Sequence, residues 1–307
     1  MNLVRNVLLL LILIVFSNIN VKGQNVDNID DIYNFINPFI GTSGDGHTYP
    51  GATVPFGMVQ LSPDTYIGSY KNSYNWCSGY QYNDSSIIGF SHTHFSGTGH
   101  SDMGDILIMP TVGSIQLNKG DKENPDKGYR SRYDKNSEFS EPGYYFVFLS
   151  DYKIKAELTA TNRVGVHKYS FPETKDAHII IDLESSIYNY NEKIIWNEMR
   201  VNSNTQIIGS HQTRGWARNR HIYYAIEFSK PFKSWGHINS DDSMYGHKKS
   251  DKIYMNKSLI QGRKIKAVLN FDTKKNEVIV VKVGISAVSM AGALKNLNAE
   301  VPAFDFN

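Results

Sequence analysis

The chain has 307 residues and a formal net charge of +2 at pH 7. So small a charge gives no electrostatic reason to expect binding to nucleic acid or to an anionic membrane surface. Cys77 is the only cysteine, which excludes an internal disulfide. The fold must therefore be held together by a buried core, and a mature chain of about 280 residues is long enough to form one.

Residues 7–16 are apolar without interruption; Arg5 precedes them, and small and polar residues follow up to Gln24. This order is typical of a secretory signal peptide. The apolar run is shorter than the ~20 residues that a transmembrane helix needs, so an N-terminal anchor is the less favoured alternative. We predict a signal peptide at 1–23 and an exported mature chain, periplasmic or secreted, with no membrane segment after cleavage.

Glycine and proline crowd the segment 37–64, NPFIGTSGDGHTYPGATVPFGMVQLSPD. Proline fixes φ and removes a backbone donor, and glycine permits tight turns and close approaches. The segment also carries many apolar side chains, which argues against a solvated linker. We predict an ordered, irregular loop system here and no helix.

A second unusual stretch, 87–110, reads IIGFSHTHFSGTGHSDMGDILIMP. It places two histidines, several glycines and two aspartates between apolar runs, where a packed core needs none of them. Loops between rigid elements carry function more often than the elements do. Together with WCSGYQY at 76–82, the stretch indicates that the functional chemistry lies within 37–105.

From residue 104 onward, short apolar runs alternate with turn residues. Ile154, Ala156 and Leu158 alternate with Lys155 and Glu157, the period of two that a half-buried strand shows. Further runs of this kind predict strands over 105–109, 112–117, 144–149, 154–161, 164–171, 178–183, 205–208, 222–228, 265–271 and 278–285. Many strands separated by turns predict an all-β sandwich or barrel. The charged segment 119–140 is predicted to be an excursion on the surface.

The C-terminal region changes period. Val288, Ala291, Leu294 and Leu297 recur at helical spacing, and Pro302 stops the pattern. We therefore predict a helix over about 289–300. The closing sequence FDFN at 304–307 resembles the start of another packed element, which suggests a truncated or split polypeptide.

His92 and His94 raise the hypothesis of a metal site. Its further ligands would be His47, His100, Asp102 and Asp105. Alternate residues of a strand point to opposite faces, so both histidines could bind one ion only on a loop. Neither an HExxH pattern nor a pair of thiolates supports zinc. We predict no metal here, and favour histidines that hydrogen-bond the loops or that approach a bound ligand.

Three other groups have both a structural and a functional interpretation. Asp102 and Asp105 precede a predicted strand and are expected to cap turns and accept backbone donors, not to act as an acid–base pair. Cys77 is expected to be a small buried residue, with a thiol nucleophile as the alternative. The three arginines of TRGWARNR, 213–220, are expected to pair with surface carboxylates, or else to dock against a second domain.

Five long segments, in order between residues 37 and 306, carry a family resemblance. They are NPFIGTSGDGHTYPGATVPFGMVQLSPDT, WCSGYQYNDSSIIGFSHTHFSGTG, DILIMPTVG, TRGWARNRHIYYAIEFSKPF and VKVGISAVSMAGALKNLNAEVPAFDF. Together they resemble the N-terminal domain of glycoside hydrolase family 92, the calcium-dependent exo-acting α-mannosidases. The resemblance implies that 24–307 forms one large antiparallel β-sandwich of the galactose-mutarotase-like (supersandwich) kind. The helix at 289–300 would then be a linker to a second domain.

The resemblance further implies a catalytic (α/α)6 barrel, which supplies a general acid glutamate, a base aspartate and most of the Ca2+ environment for an inverting reaction. No position of this chain matches those carboxylates, so no catalytic residue and no metal ligand is assigned within it. The implied partners are α-mannoside glycans and the barrel, either missing from this sequence or separately encoded. A stand-alone mannoside-binding module and a purely structural subunit are the alternatives.

Two residues carry over from the family pattern by position. Gly57 in VPFGM and Trp76 in WCSGY match positions that line the mannose pocket and the adjoining leaving-group subsite. A glycine lets a sugar ring approach the backbone, and an indole offers a stacking face and one donor. A turn glycine and a core aromatic are the alternatives. With Cys77, His92 and His94, they make up the predicted substrate-binding residues.

Overall fold

The computed structural model describes residues 33, 35–65, 77–97, 102–188, 190, 192–239 and 253–306. By its contacts the chain divides into two units, Met1–Ile36 and Asn37–Asn307. The second unit carries the fold and is described below. The predicted signal peptide and Trp76 lie outside the described residues.

The second unit is built almost entirely of strands, joined by turns and followed by one long helix. In chain order they are β1 (Ala52–Thr53), β2 (Gln60–Asp64), β3 (Ser86–Ile87), β4 (Gly89–Ser91), β5 (Leu107–Val112), β6 (Ser131–Arg132), β7 (Glu138–Glu141), β8 (Tyr144–Leu149), β9 (Ile154–Ala160), β10 (Val164–Phe171), β11 (Thr174–Asp182), β12 (Ile194–Ser203), β13 (Gln206–Thr213), β14 (Arg220–Phe228), β15 (Ser234–Asn239), β16 (Tyr254–Met255), β17 (Leu259–Gly262), β18 (Ile265–Thr273), β19 (Glu277–Ser286) and α1 (Met290–Glu300). Short 3-10 turns lie at Gly44–Gly46, Pro125–Lys127 and Lys135–Ser137.

Within the described residues these strands form two large sheets and one strand pair. The first sheet has eight strands in the order β1-β2-β4-β5-β11-β18-β15-β16, and the second has nine in the order β17-β12-β13-β14-β19-β10-β9-β8-β7. Strands β3 and β6 pair separately. Neighbouring strands run antiparallel in both sheets. The predicted all-β, antiparallel sandwich is confirmed.

One apolar core joins the inner faces of the two sheets. In β8 the side chains of Tyr145, Val147 and Leu149 are buried while those between them are half-buried, because successive side chains of a strand point to opposite faces. Ile108 and Val268 of the first sheet are equally buried in the same cluster. Full burial of such a side chain is worth about 1.5–3 kcal/mol, so a core of this size holds the sandwich without disulfides.

Helix α1 packs on the outer face of the second sheet, over β10, β14 and β19. The Ser289 hydroxyl caps its first turn by accepting the backbone N–H of Gly292 at 2.9 Å. Ala293 and Leu297, one turn apart, are its buried residues, whereas Val288 is 82% exposed. The predicted helix is therefore present, but part of its predicted apolar face is wrong. No helix in the described part of the chain is long and apolar enough to cross a membrane.

Several element predictions need correction. The strand predicted at 112–117 is wrong, because β5 ends at Val112 and Gly113 turns the chain with φ +93°. The loop system predicted at 37–64 contains β2, and the surface excursion predicted at 119–140 contains β6 and the buried residues 129–131. Strands β12 and β15 were not predicted, because their polar residues break the apolar pattern and pairing with neighbours defines them instead.

The loops that the sequence marked meet at one end of the sandwich. The start of β5 pairs with the end of β11, and the start of β12 pairs with the end of β13, opposite the start of β14. A hydrogen bond from Ile187 to Met103 joins the loops that follow β11 and precede β5, and one from Arg220 to Asp105 joins the two sheets there. We call this region the loop end. Its described loops comprise residues 92–97, 102–106, 183–188, 192–193 and 214–219.

Candidate functional site

A chain of hydrogen bonds runs from the loop end into the core. His92 Nδ1 lies 2.7 Å from the carbonyl oxygen of Ile106. His92 Nε2 lies 2.9 Å from Nε2 of His167, whose Nδ1 lies 2.7 Å from the hydroxyl of Tyr169. A carbonyl oxygen only accepts, so His92 Nδ1 donates to it. With both imidazoles neutral, His167 Nε2 then donates to His92 and Tyr169 donates to His167, so that every donor has one acceptor.

Electrostatics lead to the same assignment. Burial lowers the pKa of His92 to about 4, and burial together with the neighbouring His92 holds the pKa of His167 well below its ordinary value. A buried imidazolium would lose its hydration, and among the described residues no carboxylate forms a hydrogen bond or ion pair with either ring to compensate. This histidine–tyrosine chain is thus a neutral connection between the loop after β4 and strand β10.

His94, two residues further on, has the opposite environment. Its Nδ1 lies 2.8 Å from the carbonyl oxygen of Gln60, and its Nε2 lies 3.0 Å from Oδ1 of Asp64. The carbonyl oxygen only accepts, so His94 donates to it from Nδ1, and a carboxylate oxygen is the partner of Nε2. Its ring also lies 5.2 Å from that of Tyr49, centroid to centroid. His94 therefore ties β2 to the loop end.

The WCSGYQY motif packs against this pair through Gly79. Gly79 has φ +77°, and a Cβ built on it would overlap Oδ1 of Asp64. Only glycine combines that conformation with so close an approach. Cys77 is 1% exposed and packs against Ile187. The structure thus places Cys77 as a small buried residue, which is the interpretation that the sequence favoured.

Asp105 is the centre of an ionic cluster. It is 1% exposed, and its carboxylate accepts from Arg220 through two nitrogens, at 2.8 and 2.5 Å. His211 Nε2 lies 3.3 Å away, and the Thr93 hydroxyl donates to the other oxygen. Burial opposes ionisation, but Arg220 and His211 overcome it and hold the pKa of the Asp105 carboxyl well below its ordinary value. Two-point pairing of this kind is strong and directional.

These contacts correct two predictions. Arg220 pairs with a buried carboxylate, not with one on the surface, and Asp105 pairs with side chains instead of capping a turn. Asp102 does accept a backbone N–H, but from Trp216 on a distant hairpin, at 3.1 Å. The sequence feature that could have indicated these contacts is TRGWARNR, a short arginine-rich turn that begins a strand.

Lys193 is a second buried charge at the loop end. Its side chain is 1% exposed and donates to the carbonyl oxygen of Ile187. Burial lowers the pKa of its ammonium group to about 7, although Asp105 and Asp102 attract the charged form. The backbone carbonyl of Lys193 accepts from Arg214 at 2.9 Å. The loop before β12 is thereby held against the β13–β14 hairpin.

Gly57 lies in a tight turn. Its backbone N–H donates to the carbonyl of Val54 at 3.0 Å, and a Cβ built on it would lie 2.9 Å from Cγ2 of Val54. Phe56, just before it, is fully exposed and has φ +60°, a conformation that bulky residues rarely adopt. Sequence analysis did not single out Phe56 as an exposed aromatic side chain. Its position between Pro55 and Gly57 in a turn was the feature that could have indicated this exposure.

Residues 35–286 match the family model described as the glycosyl hydrolase family 92 N-terminal domain. The chain belongs to glycosyl hydrolase family 92. A family 92 α-mannosidase of Bacteroides thetaiotaomicron, solved in complex with mannoimidazole, is 38% identical with a TM-score of 0.78, over 89% of this chain and 35% of that one. An inverting family 92 mannosidase of the same organism is 25% identical with a TM-score of 0.67, over 87% of this chain and 33% of that one.

An uncharacterized secreted glycosidase of Arthroderma benhamiae is 25% identical over 90% of this chain and 36% of its own length. The chain therefore spans between 33% and 36% of these relatives. The match leaves the rest of each relative's length uncovered.

The family is calcium-dependent, but the residues that the structure describes do not fit a calcium site. In the described ranges, no three or more His, Cys, Asp or Glu side chains are arranged to hold a metal ion. The carboxylate of Asp105 is occupied by Arg220, and that of Asp64 by His94. We derive no step through calcium on this chain.

Proposed function

We propose that this chain is the mannoside-binding N-terminal sandwich of an exported α-mannosidase, which hydrolyses terminal α-mannosides of N-glycans or mannans when joined to its catalytic barrel. Family membership over residues 35–286 carries the proposal. The likeness to an α-mannosidase solved with mannoimidazole supports the substrate class. Because the chain spans only 35% of that relative, we assign the general acid, the base and the Ca2+ ligands to the barrel.

In an inverting reaction, one carboxylic acid protonates the leaving oxygen while a carboxylate activates water on the opposite face of the sugar. Both groups come from the barrel in our proposal. The present chain binds and orients the sugar. Gly57 lets the ring approach the backbone, and Trp76 offers its indole face. Trp76 precedes Cys77 and Gly79, which are packed against the loop end, so the motif is anchored on one side.

His92 and His94 have a different part in this proposal. They are at most 3% exposed, and their ring nitrogens face protein partners. They position the loop that follows β4, and direct contact between either of them and a sugar stays a prediction. Cys77 acts in the same way, through its contact with Ile187.

The test uses the native polypeptide from its source cells. An antibody against residues 119–127 detects its size on a denaturing blot, and the tagged protein is assayed for mannose release from α-linked mannobiose. We expect a band well above 34.8 kDa, with release that EDTA abolishes and Ca2+ restores. A band near 34.8 kDa with weak binding but no release would make the chain a stand-alone binding module. The absence of both mannose release and mannobiose binding would contradict the proposal.

A further inference from the structure

We propose that Trp216 is a stacking platform for a second sugar unit, beyond the terminal mannose, and that Tyr188 and Tyr190 extend it. The inference rests on the proposed function, because it takes the ligand to be a mannose oligosaccharide. The chemical class is a neutral hexose within a chain, recognised by the C–H face of its ring.

Trp216 stands out by its exposure and position. It lies at the tip of the hairpin between β13 and β14, and its side chain is 66% exposed. The loop end is the same region that holds His92 and Asp105. An indole presented to solvent beside a binding region differs from a scattered surface residue, because aromatic side chains are enriched where partly apolar ligands bind.

The indole is held on a rigid support. The backbone N–H of Trp216 donates to Oδ2 of Asp102 at 3.1 Å. Gly215 packs so closely on Asp102 that a Cβ on it would overlap the carboxylate. At the base of the hairpin, Arg220 is paired with buried Asp105. These contacts hold the backbone of the hairpin, so little backbone entropy is lost there when a ligand binds.

Two tyrosines lie beside the hairpin on the neighbouring loop. The rings of Tyr188 and Tyr190 are 5.7 Å apart at their centroids, with an angle of 45° between their planes. The hydroxyl of Tyr190 donates to the carbonyl oxygen of Arg214 at 3.0 Å, and Arg214 donates its N–H to Lys193. The loop that carries the two tyrosines is therefore tied to the base of the hairpin that carries Trp216.

The chemistry of this surface fits a neutral sugar. Aromatic faces attract the polarised C–H groups of a hexose ring. The exposed guanidinium groups of Arg214 and Arg218 can donate to sugar hydroxyls. Asp102 and Asp105 tie the hairpin to the loop that carries His92. The platform would therefore take a unit on the leaving-group side of the scissile bond, and would favour longer substrates.

The test is a calorimetric titration of the native, full-length polypeptide. Two ligands are compared, methyl α-mannoside and an S-linked mannotriose that resists hydrolysis. We expect Trp216→Ala to raise the Kd for the mannotriose about tenfold, which corresponds to ~1.4 kcal/mol, and to leave the Kd for methyl α-mannoside unchanged. Trp216→Phe keeps an aromatic face and should lose less affinity than Trp216→Ala. Phe139→Ala is the control, because Phe139 is 44% exposed but lies on the edge strand β7, with four strands between it and β14 in the second sheet.

The possible outcomes separate this inference from the proposed function. Unchanged affinity of Trp216→Ala for both ligands overturns the platform and leaves the proposed function standing. A lower melting temperature with unchanged affinities also overturns it, because the indole would then pack under another domain. Equal loss for Trp216→Ala and Phe139→Ala overturns it as well. If the unaltered protein binds neither ligand, the proposed function fails and the platform fails with it.

Discussion

Two buried polar clusters support the same loop, one made of neutral groups and the other of an ion pair. The chain of His92, His167 and Tyr169 is neutral, and each donor meets one acceptor. The cluster around Asp105 is ionic, with Arg220 as its main partner. His92, His167, Tyr169 and Asp105 are at most 1% exposed, and the side chain of Arg220 is 16% exposed, so burial alone does not decide the charge. The groups aimed at each site decide it, and the two clusters should therefore fail under different conditions.

The largest effect is expected at Asp105. Asp105→Asn leaves the Arg220 guanidinium buried without its counter-charge, which should lower the free energy of unfolding by about 3–5 kcal/mol. Urea unfolding measures it. Arg200→Gln is the control, because Arg200 pairs with Glu198 at an exposed position and such pairs are worth about 1 kcal/mol or less. Equal costs for the two variants would contradict the ionic assignment.

Acid should act on the neutral cluster first. The folded-state pKa values of His92 and His167 lie below the unfolded value of about 6.5. The stability that depends on their neutral forms is therefore complete above pH 6.5 and is lost as the pH falls toward 4. Protonation of His92 should cost about 2 kcal/mol at pH 5, at about 1.4 kcal/mol per pH unit, and His167 should add to the loss in the same direction.

The same acid titration sharpens the comparison, since the pKa of Asp105 lies well below its ordinary value. A depressed carboxyl pKa means that its contribution persists above the unfolded pKa of about 3.9 and is lost only below that. Urea unfolding at pH 7 and pH 5 measures the loss. Replacing both His92 and His167 by leucine should make the loss between these values smaller. An unchanged pH dependence would show that other groups cause it.

Close packing of the motif on Asp64 should have a smaller effect. Gly79→Ala places a methyl group against Oδ1 of Asp64 and also strains a residue with positive φ, with an expected cost of about 2 kcal/mol. Gly143→Ala is the control, because Gly143 has φ +83° and nothing within 4 Å of its Cβ position. The difference in unfolding free energy between the two variants isolates the contact. No difference would mean that the Asp64–His94 pair moves aside freely.

The smallest effect is expected at the end of the neutral chain. Tyr169→Phe keeps the ring but removes the donor to His167 Nδ1, which should cost about 1 kcal/mol. Thermal unfolding at pH 7 measures the change. If Tyr169→Phe destabilises as much as Asp105→Asn, the neutral cluster would hold charge and the comparison would fail.

Local patterns in the sequence were enough to predict the fold class. Strands β8 and β10 have the predicted bounds, because the period of two reports burial of one face and needs no knowledge of distant residues. Helical spacing and the stop at Pro302 placed the helix in the same way. Long segments shared with family 92 identified the family. The roles of Gly57 and Trp76 in sugar binding stay predictions.

Tertiary structure decided the electrostatics of the candidate site. His92 and His94 look alike in the sequence, yet one meets His167, 75 residues away, and the other meets Asp64. Arg220 finds Asp105 at a separation of 115 residues. No local period encodes such pairs, since strands that are distant in the chain bring the partners together. The charge of a buried group depends on those partners, so it could be assigned only once the sheets were in place.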